Sequence, residues 1–379
     1  MTLAARPILW ADLGRVVALA SLGSAARQII AYSICTATLK KRTLIHDIAK
    51  HLEVSIATVS LVLNGKAKEH RISDALAVRV LKYVEEVGYK PNQLAKSLRT
   101  GKTHVIGLLV EDIANPFFAT VAGLIERHAL ARGYHILYCS TENDTTKAKD
   151  LIAMLQDRHI DGYIIAPPAG VEKEIEALLK NDIPTVLFDR YLPNLPTDYI
   201  VVDNEGGAYE AACHLLAQGM ARVAFLTTES EQTQMAARLQ GYTRAMQVHG
   251  QPLIVQRIPL AFEGDKEVSI AAIGRFLEAN PTCEAIVFAN NSLTVYGLEA
   301  IGRLGRRIPQ DLAVISFDDN DLFRLHSPPI TAVAQPVEAL AETLINVLLN
   351  GLATAQAAPP DRQQIVLPLS LLVRGSSVR

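Results

Sequence analysis

Cysteine and tryptophan are scarce: four of the first and one of the second in 379 residues. Cys35, Cys139, Cys213 and Cys283 stand far apart, with no CxxC and no histidine at ligand spacing. That pattern excludes a zinc ribbon and a disulfide framework. It suits a reducing cytoplasm, with Cys139 and Cys213 expected as packed thiols in apolar segments. Long hydrophobic runs are also missing. Arg6, Asp12, Arg15 and Arg27 interrupt the apolar opening stretch, so nothing approaches the roughly 20 residues of a membrane helix. The sequence has no GxxxxGK[ST], no GxSxG and no GxGxxG opening a helix. With no metal-ligand cluster beside them, these absences argue against an enzyme, and neither cofactor nor metal is expected.

What is present is a globular composition, 49% hydrophobic and 20% charged, on a chain long enough for two or three domains. The net charge of −2 hides an asymmetry. Residues 40–102 hold 13 Lys/Arg against 6 Asp/Glu, whereas residues 103–379 hold 21 against 32. A basic module followed by an acidic body suits a protein that meets phosphate at one end. A solvated basic face would give the same count.

The basic module contains Ile45 to Asn64, IHDIAKHLEVSIATVSLVLN. Ile45, Ile48, Ala49 and Leu52 repeat at helical spacing, Glu53-Val54-Ser55 breaks the pattern, and Val59, Val62 and Leu63 begin a second stripe. Ser55 stands where an N-cap belongs. Two helices this short need a third, and Ser73 to Val87 supplies it, with Ala77, Val80, Leu81 and Val84 on one face and Gly88 as its stop. The result is a helix-turn-helix whose second helix can enter a DNA major groove; a plain helical hairpin is the alternative.

The combination of D-I-A (47–49), V-S-x-x-T-V-S (54–60), N-G (64–65) and G-Y-x-P-N-x-x-A-x-x-L (88–98) resembles the DNA-binding headpiece and hinge of the LacI/GalR repressor family. The likeness covers roughly residues 43–370. It implies a headpiece at 43–91, a hinge helix at 92–102 that folds on DNA, and an effector-binding and dimerisation domain at 103–379. Members of that family begin near position 43, so residues 1–42 are read as a disordered or loosely helical extension from an upstream start. An export signal is not expected there, because a DNA-binding module follows directly.

In the family pattern, residues after V-S face base edges: here Ile56 and Ala57, with Leu61 on the same face. Apolar side chains pack on a thymine methyl but cannot select G·C by paired hydrogen bonds. Leu61 could instead belong to the core. Thr58, Ser60 and Asn64 are placed near phosphates, as are Lys66, Lys68 and Arg71 in a loop that resembles the fructose repressor/catabolite repressor-activator branch; a mobile, solvated loop is the alternative, and Ser55 joins the DNA-binding candidates. Asn92, Lys96, Leu98 and Arg99 of the hinge complete the DNA-binding set, with Leu98 matching the leucine that wedges between base pairs. A linker helix against the body is the other reading of 93–99. Glu53 stands where related sequences often place glycine; a left-handed conformation there would cost roughly 1–2 kcal/mol.

Beyond Gly101 apolar strands and helical stretches alternate, the mark of parallel, doubly wound sheets in two lobes. Strands are predicted at 104–110, 134–139, 162–166, 185–188, 199–202, 223–227, 285–289 and 312–317, each as a run buried on both faces. Polar pairs follow five of them: Glu111-Asp112, Asp189-Arg190, Asp203-Asn204, Asn290-Asn291 and Asp318-Asp319. Such groups take paired hydrogen bonds from vicinal sugar hydroxyls, although a single pair does no more than cap a helix. The layout resembles the family's periplasmic-binding-protein-like effector domain. That resemblance points to Arg238 in R-L-Q-G-Y, Asn290 in A-N-N, Asp318 in F-D-D, Gln335 in V-A-Q-P and Asp189. Asp112, Asn115, Phe117 and Arg190 join them as effector-binding candidates. It also implies discontinuous lobes, about 103–203 with 333–365 and about 204–332 with 366–379.

The expectation is a dimeric transcription regulator, a repressor by default. It would bind a palindromic double-stranded operator and answer to a small sugar or sugar-phosphate effector, without a membrane partner. The competing reading is a sugar-binding protein of a transport system.

Overall fold

Two serine hydroxyls and one arginine fix the ends of the first three helices among the described residues, α1 (Ile45–His51), α2 (Ile56–Leu63) and α3 (Asp74–Glu86). Ser55 Oγ accepts the Thr58 N–H at 3.0 Å and Ser73 Oγ accepts the Leu76 N–H at 3.3 Å, each relieving a free amide of the first turn. Arg79 donates to the Leu52 carbonyl at 2.6 Å at the end of α1. Gly88, in the left-handed region, follows α3. Ile48, Ala49, Leu52, Val59, Val62 and Val80 make the core, with Leu76, Ala77, Tyr83 and Val84 packed on it. Leu81 departs from its expected place and is exposed. The buried stripe of α3 runs through Ala77, Val80 and Val84, and one residue past Val80 turns the side chain about 100° away from it. Glu53 does lie in the left-handed region, at φ 55°, so the turn carries the expected strain.

This computed structural model describes residues 43–89, 101–260, 265–354 and 362–378. Contacts divide the chain into two compact units at Lys96/Ser97. The second unit holds two six-stranded sheets. The chain first builds β1 (Val105–Val110), α4 (Pro116–Leu130), β2 (His135–Ser140), α5 (Thr145–Asp157), β3 (Gly162–Ile165), α6 (Glu172–Lys180), β4 (Thr185–Phe188) and β5 (Asp198–Val202). It then crosses to α7 (Asn204–Ala217), β6 (Val223–Thr228), α8 (Thr233–Val248), β7 (Ile254–Ile258), α9 (Lys266–Ala279), β8 (Ala285–Phe288), α10 (Asn291–Arg303), β9 (Ala313–Phe317), α11 (Asp321–Leu325) and β10 (Thr331–Ala334). It returns as α12 (Val337–Thr354) and β11 (Gln364–Leu367), and crosses once more to β12 (Ser370–Leu372). The first sheet, ordered β11-β5-β4-β3-β1-β2, is parallel throughout. The second, β12-β10-β9-β8-β6-β7, is parallel except that β12 runs against β10.

Strand alternation produces the layers. Ile106, Leu108 and Val110 face one core with Leu344 and Leu348 of α12, and Leu109 faces the other with Leu155 of α5 and Leu178 of α6. The edge strand β2 does not meet the expectation of burial on both faces: Leu137 and Tyr138 are exposed. Burial pushes the Cys139 and Cys283 thiols up, as packed cysteines require. The three crossings between sheets are short: Asp203, Gln335-Pro336 and Pro368-Leu369.

Helices α7 and α8 touch backbone to backbone at Gly241, where a Cβ would stand 2.0 Å from the Glu205 carbonyl oxygen and 3.0 Å from the Tyr209 nitrogen. Gly241→Ala is therefore expected to destabilise the second unit by about 1–3 kcal/mol. Urea unfolding followed by far-ultraviolet circular dichroism checks this; an unmoved midpoint would show that the helices part without cost.

Candidate functional site

Helix α2 leaves open the face that carries the expected base-edge residues. Ile56 is 46% exposed and Ala57 is exposed, while Leu61 is half-buried and stands outside the core cluster. Val59 and Val62, on the opposite side of α2, do the packing. The polar residues tie the helix together: the Ser55 and Thr58 hydroxyls lie 2.8 Å apart, and Asn64 Nδ2 donates to the Ser60 carbonyl at 2.7 Å. Lys66, Lys68 and Arg71 are exposed on the loop that follows. Asn92, Lys96, Leu98 and Arg99 lie outside the described residues.

In the second unit, polar side chains converge where strand ends of the two sheets approach one another. Arg238, 2% exposed, donates through Nε to Asn204 Oδ1 at 2.8 Å and through Nη1 to the Ala289 carbonyl at 2.7 Å. Its guanidinium lies over the Phe317 ring, 3.6 Å from the centroid. Asp318, in the left-handed region just past β9, accepts from Gln335 Nε2 at 2.6 Å. Asp189 holds the matching position past β4, also left-handed, and accepts from Gln234 Nε2 at 3.3 Å. Arg190, equally buried, donates to Glu111 at 2.7 Å, to Gln232 at 2.8 Å and to Asn143 at 2.8 Å. Gln232 and Gln234, at the entry to α8, thus reach across to residues of the first sheet. Asn115 and Asn291 exchange amide hydrogen bonds of 3.2 and 2.9 Å, a second bridge between the sheets.

Burial sets the electrostatics. It raises the Asp189 carboxyl to about 6; Arg190 and Arg238 oppose the rise, and Glu111 and Asp318 add to it. Asp318 is likewise raised by burial against the pull of Arg238. Arg238 is lowered by burial while the Asp318 and Asp189 carboxylates hold its charge.

The structure brings together Asp189, Arg190, Arg238, Asp318 and Gln335 of the expected set, and links Asn115 to the second sheet. Other expected residues are occupied elsewhere. Asn290 Oδ1 caps α10 by accepting the Leu293 N–H at 2.9 Å, so its neighbour Asn291 makes the bridge. Phe117 packs in the first-sheet core beside Phe118. Asp112 accepts the Ala114 N–H at 2.8 Å in its own loop. Among the paired positions, Asp203 caps α7 and Asp319 grips Arg374 through two contacts of 2.7 and 2.6 Å. Sequence reasoning missed Asn143, Gln232 and Gln234; the polar run Glu229-Ser230-Glu231-Gln232-Thr233-Gln234 leading into α8 was the available signal. Among the described residues, no cluster of three His, Cys, Asp or Glu could hold a metal, and no helix is long and apolar enough to cross a membrane.

Residues 44–92 match the family described as bacterial regulatory proteins, lacI family, and residues 212–377 match the periplasmic binding protein-like domain. The HTH-type transcriptional regulator DegA of Bacillus subtilis (strain 168) is 33% identical over 345 residues, covering 89% of this chain and 98% of that protein. The lac repressor dimer bound to operator and the anti-inducer ONPF shares the fold, with a TM-score of 0.78 at 22% identity over 89% of this chain and 100% of that one. A LacI family transcriptional regulator from Enterococcus faecium with bound ribose aligns at TM-score 0.64 and 26% identity, over 72% of this chain and 98% of that one.

The raised Asp189 carboxyl makes stability depend on pH with a definite sign. Between the unfolded value of 3.8 and the folded value of about 6, the folded chain holds a proton that the unfolded chain has lost. Stability therefore falls as pH rises through that window, by up to about 3 kcal/mol. Asp189→Asn should remove this slope, so that the variant gains on the parent between pH 4 and 7 in calorimetric unfolding. A pH-independent difference between the two would contradict the assignment.

Proposed function

The chain belongs to the lacI family of bacterial regulatory proteins, and from that premise we propose a repressor whose grip on its operator is set by a small sugar or sugar phosphate. The observation that carries this reading is the pairing, in one chain, of a capped helix with an open reading face and a two-sheet body with a buried polar network at facing strand ends. The ribose bound by the Enterococcus faecium regulator supports a sugar as effector. A sugar-binding protein of a transport system would have no use for residues 43–89.

The division of labour follows the expected boundaries: a headpiece at 43–91, a hinge at 92–102, and an effector and dimerisation body at 103–379. Ile56, Ala57 and Leu61 read base edges by apolar contact, which suits thymine methyls, while Lys66, Lys68 and Arg71 neutralise phosphates. Leu98 is the wedge candidate. A dimer on a palindromic operator in the cytoplasm completes the reading; the lac repressor dimer bound to operator supports the dimeric part. Sugar binding controls the operator only if it favours one of two states of the body over the other.

Two measurements test this. In a gel shift against a pool of palindromic duplexes at low salt, a retarded band should appear and its intensity should change with an effector sugar; failure to retard any duplex would overturn the proposal. Asp318→Ala should retard the same duplexes and lose the response to sugar, and a normal response would remove Asp318 from the effector site.

A further inference from the structure

Among the described residues, the hydrophobic clusters of the second unit each keep to one sheet and its helices. Hydrogen bonds that cross between the sheets therefore count for more than they would over a shared apolar core. They include Asn115 with Asn291, Gln232 with Arg190 and Asn143, the Tyr191 N–H with Thr233 Oγ1, and Gln234 with Asp189.

Asp189 and Asp318 hold matching left-handed positions past β4 and β9, yet their amide partners differ. Gln335 Nε2 gives Asp318 a hydrogen bond of 2.6 Å, short as bonds to an ionised oxygen are. Gln234 Nε2 reaches Asp189 Oδ2 at 3.3 Å, and Gln234 Oε1, in a side chain 3% exposed, is buried without a hydrogen-bond partner. A buried acceptor left bare is costly, and an ionised Asp189 has no hydrogen to offer it. A protonated one does: its O–H can donate to Gln234 Oε1 while its other oxygen accepts from Nε2, closing a ring of two hydrogen bonds.

We propose that Asp189 and Gln234 form a proton-operated clasp between the sheets, doubly bonded when the carboxyl holds its proton and reduced to one long bond when that proton leaves for solvent. This goes beyond the sugar-responsive reading above and does not depend on it. The charged groups around Asp189 are Arg190 beside it, 3.7 Å from Oδ2, Glu111 past β1, Arg238 on α8 and Asp318 past β9. Burial is the largest influence and raises the carboxyl to about 6, against both guanidiniums and with both carboxylates. A proton then acts on the body by favouring one arrangement of the sheets over another.

The Tyr191 amide reports on the clasp, because its bond to Thr233 Oγ1 crosses between the sheets one residue from Gln234. Its hydrogen–deuterium exchange can be followed in the full-length chain by mass spectrometry with fragmentation, corrected for the intrinsic pH dependence of amide exchange. With the carboxyl at 3.8 when the sheets part and at about 6 when they meet, protection should fall about tenfold from pH 5 to pH 7.5. Asp189→Asn, whose carboxamide makes both bonds at any pH, should lose this fall. Gln234→Met should lower protection about fivefold more at pH 5 than at pH 7.5, since only the protonated carboxyl uses both ends of the amide. Protection that does not change with pH in the parent chain would overturn the clasp. So would a loss in Gln234→Met that is as large at pH 7.5 as at pH 5, which would mean that Gln234 serves the ionised carboxylate alone.

Discussion

A buried guanidinium is the constraint on which the polar end of the second sheet depends. An arginine taken out of water is costly unless its charge is compensated and its donors are used. Arg238 meets both conditions through parts of the chain far apart in sequence: Asn204 at the start of α7, the Ala289 carbonyl just past β8, the Phe317 ring on β9 and the carboxylates of Asp318 and Asp189. These groups must stand where they do for the charge to be tolerated. Gly241 contributes by absence, since it lets α8 press against α7 closely enough to deliver Arg238 to its partners.

Two residues of this network stand at or beside crossings between the sheets. Asn204 follows the first crossing and bonds Arg238; Gln335 lies in the second and bonds Asp318. The network is therefore tied to two of the short linkers between the sheets. Gln232, Gln234 and Asn291 add hydrogen bonds directly from one sheet's territory to the other's. A ligand that redistributes these bonds changes the relative stability of two arrangements of the body, which is what an allosteric effector must do.

Local chemistry was legible in the sequence; convergence was less so. The Ser55 and Ser73 caps and the Gly88 stop follow from residue type and position, the left-handed Glu53 from the glycine that the family resemblance implies there, and the structure has them. Long apolar strands such as β6 and β9 stand out because both faces are covered. Strands β7, β11 and β12 do not, for their partly exposed edges mix polar and apolar residues without a clear run. Leu81 was misplaced because Val80 beside it has the better claim on the core face. Asn290 and Asn291 were inseparable by sequence, and only the capping bond to Leu293 shows which amide is left for the bridge. Asn143 and Gln232 meet across 89 positions at 3.2 Å, a proximity that no local periodicity encodes.

The chain's last two strands are neighbours in sequence yet lie at the margins of different sheets, β11 beside β5 and β12 beside β10. Arg374 and Ser376, just beyond, bind Asp319 and the Val314 carbonyl within the second sheet's territory. A premature stop codon placed after α12 would thus strip a border strand from both halves at once and bare two rows of backbone amides and carbonyls. Unpaired borders of that kind invite pairing with other chains, so late truncations should yield insoluble product rather than a protein that is merely unregulated.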